Sequence, residues 1–187
     1  MRPLKGYKDA QASGEFERLE AGGYVIRITE VKDDKKQGEA ENTMLRITYD
    51  IAEGPEAGRY KNETADNAYR HQFVRSYKEK ALGMFKAFIQ AIDESNGTKF
   101  DETIEDGFDE AKLVGKILGV VFGYEEYETN DGSIKERLRV AMVCSADRIR
   151  KGDYKVPALK KLDASKRTTP AAPVPGFTPL GDADLPF

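Results

Sequence analysis

The sequence predicts an all-β fold with one capping helix, its five strands closed into a small Greek-key barrel. Three observations carry this expectation. Apolar and polar residues alternate with a period of two in three stretches. The period changes to that of a helix once, between the third and fourth strands. The resulting order, three strands, one helix and two strands, is the layout of the oligonucleotide-binding (OB) fold, a five-stranded OB-fold Greek-key barrel. An α+β sandwich, with the helix on one face of a sheet, is the alternative reading of the same order.

The first strand lies in "GGYVIRITEVKDD", where Tyr24, Ile26 and Ile28 alternate with Val25, Arg27 and Thr29. Gly22 and Gly23 mark a bend or bulge at its start. The second lies in "TMLRITYDIAEG": Leu45, Ile47, Tyr49 and Ile51 share one face, and Met44, Arg46, Thr48 and Asp50 the other. The third, in "RYKNETADNAYRHQFVRSY", is less regular and is interrupted near Asp66 and Asn67. One of Phe73 and Val74 must face the core, and parity alone leaves open which.

The helix follows in "SYKEKALGMFKAFIQAIDESNG", with Leu82, Phe85, Ile89 and Ile92 at helical spacing and Phe88 beside them. Ser76 and Glu79 have capping-box spacing, and Asn96–Gly97 supply the stop. The acidic connector "DETIEDGFDEAKLVG" holds a short helical turn. The last two strands form a hairpin about "NDG". Ile134, Leu138, Val140 and Met142 fall on one face of its second arm, and Lys135, Arg137 and Arg139 on the other.

The organisation expected is a flexible arm over 1–15, the OB domain over 16–162, a Pro/Ala-rich linker over 163–180 and an acidic tip over 181–187. The chain has 187 residues and a net charge of −3. Acids gather over 101–110 and at the tip, while basic residues interleave with the strands, so the total does not exclude a nucleic-acid partner. A single cysteine, Cys144, and a single histidine, His71, exclude an internal disulfide and disfavour a zinc site. No apolar run has the length of a membrane span, so no membrane partner is expected and a cytoplasmic setting is. The phosphate-binding GxxxxGK[ST] loop and the GxSxG, HExxH and CxxC motifs are missing. The expectation is a protein that is not an enzyme and needs neither cofactor nor metal.

Single-strand binding needs cations for phosphates and aromatic faces for bases. Strand alternation supplies both. Arg27 and Arg46 point away from the expected core faces. The third segment interleaves Tyr69, His71, Phe73, Arg75 and Tyr77, with Arg70 among them. The hairpin adds Tyr124, Tyr127, Lys135, Arg137 and Arg139. Stacking contributes roughly 1–3 kcal/mol per base, so two or three such aromatics suffice.

The ending "DADLPF" after a Pro/Ala-rich stretch resembles the tail of bacterial single-stranded DNA-binding proteins, with Leu185 where isoleucine is usual. That resemblance implies that Asp182, Asp184, Leu185, Pro186 and Phe187 dock onto replication, recombination and repair proteins. The body, through "FERLEAGGYVIRITEV", "LRITYDIAEGPEAGRY", "GMFKAFIQAIDESN", "GKILGVVFGYEEYETNDG" and "RKGDYKVP", resembles phage and prophage proteins of Gram-positive bacteria, some described as single-stranded DNA-binding proteins. It implies work on a phage genome in the host cytoplasm, and leaves room for a homo-oligomer. Two other readings remain open: a phage adaptor or inhibitor that occupies a host tail-binding pocket without touching DNA, and a metal-dependent nuclease using Glu125 or Glu126.

Overall fold

The computed structural model describes residues 19–63 and 65–163. The expected arm over 1–15, nearly all of the expected linker and the tip residues Asp182, Asp184, Leu185, Pro186 and Phe187 lie outside the described residues. Five strands form one antiparallel sheet: β1 (Gly23–Asp34), β2 (Met44–Ile51), β3 (Gln72–Ser76), β4 (Ile117–Glu128) and β5 (Ile134–Cys144). Helix α1 (Leu82–Asn96) follows β3, and a short helix α2 (Ala146–Arg150) follows β5. The sheet order is β3-β2-β1-β4-β5. β3 and β5 are its edges, so backbone pairing leaves the sheet open where the sequence reading expected a closed barrel.

Alternation decides what each strand buries. Ile26 and Ile28 lie opposite Ile51 and Tyr49 and are fully buried. Between Ile28 and Glu30 the register slips. The extra residue there lets Val31 continue the inward row opposite Ile47, while Glu30 stays outside. On β4, Leu118, Val120 and Phe122 point inward. β5 carries a second bulge, opposite the Val121/Phe122 step. It moves Met142 off the face shared by Leu138 and Val140, and Val143 takes the inward place beside Val120. The expectation that Met142 joins that row is corrected by this slip. The bend expected at Gly22–Gly23 is present, at Ala21–Gly22 just before β1, and the Ile28/Glu30 bulge is a further irregularity that the sequence reading did not expect.

Helix α1 closes the core with Phe88, Ile89 and Ile92, and Phe88 meets Phe73 edge-on at 6.1 Å. Leu82 was expected on the buried stripe, but it is the first helical residue and is exposed. The expected capping box is not formed. A 3-10 turn, Glu79–Ala81, leads into the helix, and the Ser76 hydroxyl instead donates to the Thr43 carbonyl at 3.1 Å, tying β3 to the entry of β2. The stop is as expected: Gly97 takes the left-handed conformation, φ 65°, and its N–H donates to the Asp93 carbonyl.

The last helical turn anchors three neighbours. The Asp93 carboxylate accepts from the Phe100 and Asp101 N–H groups, both at 2.9 Å. Ser95 Oγ accepts from the Ala146 N–H at 2.9 Å. The Asn96 side chain donates to the Ile117 carbonyl and accepts from its N–H, at 2.8 and 3.1 Å. One polar turn thus fixes the connector, α2 and the start of β4.

A second layer covers the other face of β1 and β4. Val25 and Val121 point away from the main core yet are buried, 3% and 0% exposed. The segment 145–162 runs over them as a strap. A Cβ on Gly119 would come within 2.6 Å of Ile149, one on Gly23 within 2.4 Å of the Tyr154 ring, and one on Gly123 within 2.6 Å of Pro157. Three glycines make the track along which the strap lies. The strap then pairs with β4 beyond the end of β1. The Lys160 N–H donates to the Tyr124 carbonyl at 3.0 Å, and the Glu126 N–H to the Lys160 carbonyl at 2.9 Å.

Candidate nucleic-acid interface

The outer face of the β4–β5 arm gathers several of the expected residues. Cross-strand register sets Lys135 opposite Tyr127, Arg137 opposite Glu125 and Arg139 opposite Gly123. Glu125 is the hub. Its carboxylate is 13% exposed and meets Arg137 at 2.8 Å, Arg139 at 3.0 Å and, from the strap, Lys160 at 3.8 Å. One carboxylate cannot neutralise three cations, so the cluster keeps a positive surplus. The Arg137 guanidinium also sits 5.3 Å from the Tyr127 ring centre, a cation–π contact that holds the ring beside the cluster. Tyr124 faces the opposite side with Leu138 and is half-buried.

The third segment divides. Phe73 is buried opposite Ile47, and Val74 is the exposed member of that pair. His71 is buried, stacked on Tyr60 at 4.6 Å and edge-on to Tyr49 at 6.2 Å. Neither Phe73 nor His71 offers a free face to a base, which corrects their place among the stacking candidates. Tyr77 packs edge-on against Phe85 and donates to Asp33 at 2.7 Å. Its hydroxyl is pushed up to about 12, first by desolvation and then by Asp33. Tyr69 is 69% exposed beside Arg70, and nothing brings it to the hairpin.

Arg75 lies on the core side of β3, opposite Leu45, with its guanidinium 4.8 Å from the Phe73 ring centre. Burial holds its pKa down to about 10, and repulsion from Arg139 adds to the effect. Arg75 therefore lies on the core side of β3 and not on its outer face.

Arg27 and Arg46 do lie on the outer face of β1 and β2, but that face is electrically balanced. Arg27 pairs across from Asp50 and Lys32 from Arg46. Glu30 bridges Lys32 at 2.9 Å, and Asp34 accepts from Arg46 at 2.8 Å. The Arg46 hydrogen bond holds the Asp34 carboxyl below its ordinary value. Arg27, Lys32 and Arg46 are thus matched in number by Glu30, Asp34 and Asp50, so that face carries no net positive surplus for phosphate.

Sequence reasoning missed the strap. Lys160 joins the site only because the strap, seated by Tyr154 and Pro157, crosses the glycine track, and that path has no periodic signal. Glu125 and Glu126, the carboxylates of the nuclease reading, are successive strand residues on opposite faces. Glu125 holds the cation cluster, and Glu126 accepts from the Leu162 N–H at 2.9 Å. Among the described residues, no group of three or more His, Cys, Asp or Glu is placed to hold a metal, and no helix is long and apolar enough to cross a membrane.

The chain belongs to the family described as a protein of unknown function (DUF669), whose model matches residues 5–133. That match runs through β1 to β4 and ends in the turn before β5. No curated protein matches the chain.

Proposed function

We propose that the protein binds single-stranded DNA without regard to sequence, in the replication or recombination of a phage genome. The observation that carries the reading is the cation cluster on the β4–β5 arm: Arg137, Arg139 and Lys160 around one carboxylate, with Tyr127 held alongside. Cations in surplus next to a ring suit a polymer of phosphates and bases. Two further features support it. The strand order β3-β2-β1-β4-β5 with a helix between β3 and β4 is the OB order. The ending "DADLPF" resembles a partner-docking tip, and in this reading it recruits replication and repair proteins.

Fluorescence anisotropy of a labelled oligo-dT against a matched duplex, without metal, tests the proposal. The expected result is tight binding to the single strand that weakens steeply with salt, and little binding to the duplex. A folded protein that binds neither would overturn it, and the adaptor reading would take its place. Replacing Arg137 and Arg139 together by glutamine should lower the slope of log K against log salt by about 1.4, at roughly 0.7 per phosphate contact on a single strand. An unchanged slope would move the interface elsewhere.

A further inference from the structure

We propose that the strap over 145–162 forms the second wall of that interface, with Lys155, Lys160 and Lys161 contacting the phosphates of the same strand. The inference rests on the single-strand reading and adds to it a binding element that the hairpin alone does not contain.

Charge distribution is the first argument. Residues 135–161 hold nine basic side chains against three acids, a net charge of +6. The chain as a whole is −3, so everything outside this stretch sums to −9. The positive field of this acidic protein is therefore concentrated in β5, α2 and the strap. The mixed outer face of β1 and β2 offers no competing patch.

Availability is the second argument. Arg150 is held by Glu53 and Asp147, both at 2.6 Å, and Arg148 by Asp153 at 3.3 Å. These arginines pin α2. Lys155 and Lys161 are exposed and have no ion pair among the described residues. Lys160 has only the long 3.8 Å approach to Glu125 that it shares with Arg137 and Arg139.

Placement is the third. The strap is seated by two backbone hydrogen bonds to β4 and by Tyr154 and Pro157 against glycines. Lys160 is thus carried by an ordered track at the edge of the Glu125 cluster, with Lys161 next to it and Lys155 on the same track between Tyr154 and Pro157. Cations already held in place lose less conformational entropy on binding than those on a loose tail. An extended polyanion crossing the β4–β5 arm would meet Arg137 and Arg139 on the sheet and then Lys160 and its neighbours on the strap.

The test is the full-length chain carrying Lys155→Gln and Lys161→Gln, titrated with labelled oligo-dT from low to moderate salt beside the unaltered protein. The expected slope falls by about 1.4, with binding at low salt weaker by about tenfold. A companion with Lys155→Arg and Lys161→Arg must keep the original slope, since charge and not chain shape is at issue. If the unaltered protein binds the oligonucleotide and the glutamine variant matches its slope, the strap is not part of the interface and the single-strand reading stands. If the unaltered protein binds no oligonucleotide, that reading fails and this inference fails with it. Binding to phosphatidylglycerol vesicles in preference to oligo-dT at equal salt would overturn it in favour of a lipid surface.

Discussion

The single imidazole of the chain, His71, lies between the Tyr60 and Tyr49 rings, with Glu63 and Asp50 as the carboxylates facing it. Its Nδ1 and the Glu63 Oε2 are buried without hydrogen-bond partners, and both residues line a hollow of about 350 Å³. Desolvation lowers its pKa, and the attraction of Glu63 and then Asp50 opposes without cancelling it. The consequence for stability has a definite sign. The unfolded chain takes up this proton near pH 6.5, whereas the folded chain takes it up only at lower pH. His71 therefore contributes stability in full above about pH 6.5, and that contribution is lost as pH falls towards the folded value. Being alone, it gives one resolved imidazole signal, so a proton NMR titration reads its midpoint directly. A midpoint below about 6.5 is expected, with a urea midpoint that drops between pH 7.5 and 5.5 and a His71→Phe variant that drops less. A midpoint above 6.5 would mean that Glu63 prevails over burial. The sequence could not place this residue inside. The same limit applied to Phe73 and Val74, where parity gave two answers and only pairing with Ile47 selected Phe73.

The strands and the main helix were legible because each is periodic over enough residues to show which face it buries. The two bulges were not, since one extra residue reverses parity without changing composition, and Met142 was misplaced for that reason. The strap was legible least of all. Its contacts are single residues meeting glycines far away in sequence, and those glycines mean something only once both partners are known. They predict an order of tolerance. A Cβ on Gly119 would lie 2.7 Å from the Ser145 carbonyl oxygen as well as 2.6 Å from Ile149, so backbone would have to move. A Cβ on Gly23 meets only the Tyr154 ring, which can swing aside. Gly119→Ala should cost about 1–3 kcal/mol, as overpacking does, and Gly23→Ala should cost less. Gly83 is the contrast: it lies in α1 at ordinary φ with nothing within 4 Å. Gly83→Ala should stabilise by about 0.4–1 kcal/mol through a less flexible unfolded chain. Thermal melts of the three variants check the order, and equal losses at Gly119 and Gly23 would mean that the strap does not hold its path.

Across the whole molecule, charge and apolar burial have separate tasks. The core is continuous from Ile26, Ile28 and Ile47 on the sheet to Phe88, Ile89 and Ile92 on α1. Apart from those of Glu125 and Glu63, the ion pairs lie mostly at the surface. Arg150 and Glu53, for example, are 44% and 41% exposed, and pairs of that kind contribute at most about 1 kcal/mol each. Stability should accordingly be nearly indifferent to salt. Function, if the single-strand reading holds, should not be. Arg137, Arg139, Lys155, Lys160 and Lys161 as five phosphate contacts imply a slope near 3.5, at about 0.7 per contact. Raising NaCl tenfold should then weaken oligo-dT binding by roughly 3,000-fold at that slope. Over the same range the melting temperature should move by less than about 4 °C, the shift that roughly 1 kcal/mol produces in a chain of this size. Both are measured on one preparation, by anisotropy and by thermal melting. A melting temperature that collapses together with binding would show that the +6 stretch holds the fold together by its ion pairs. Binding that ignores salt would remove the phosphates from the account. Only salt-sensitive binding on a salt-indifferent fold fits a sheet held by its apolar core that carries its cations for a partner.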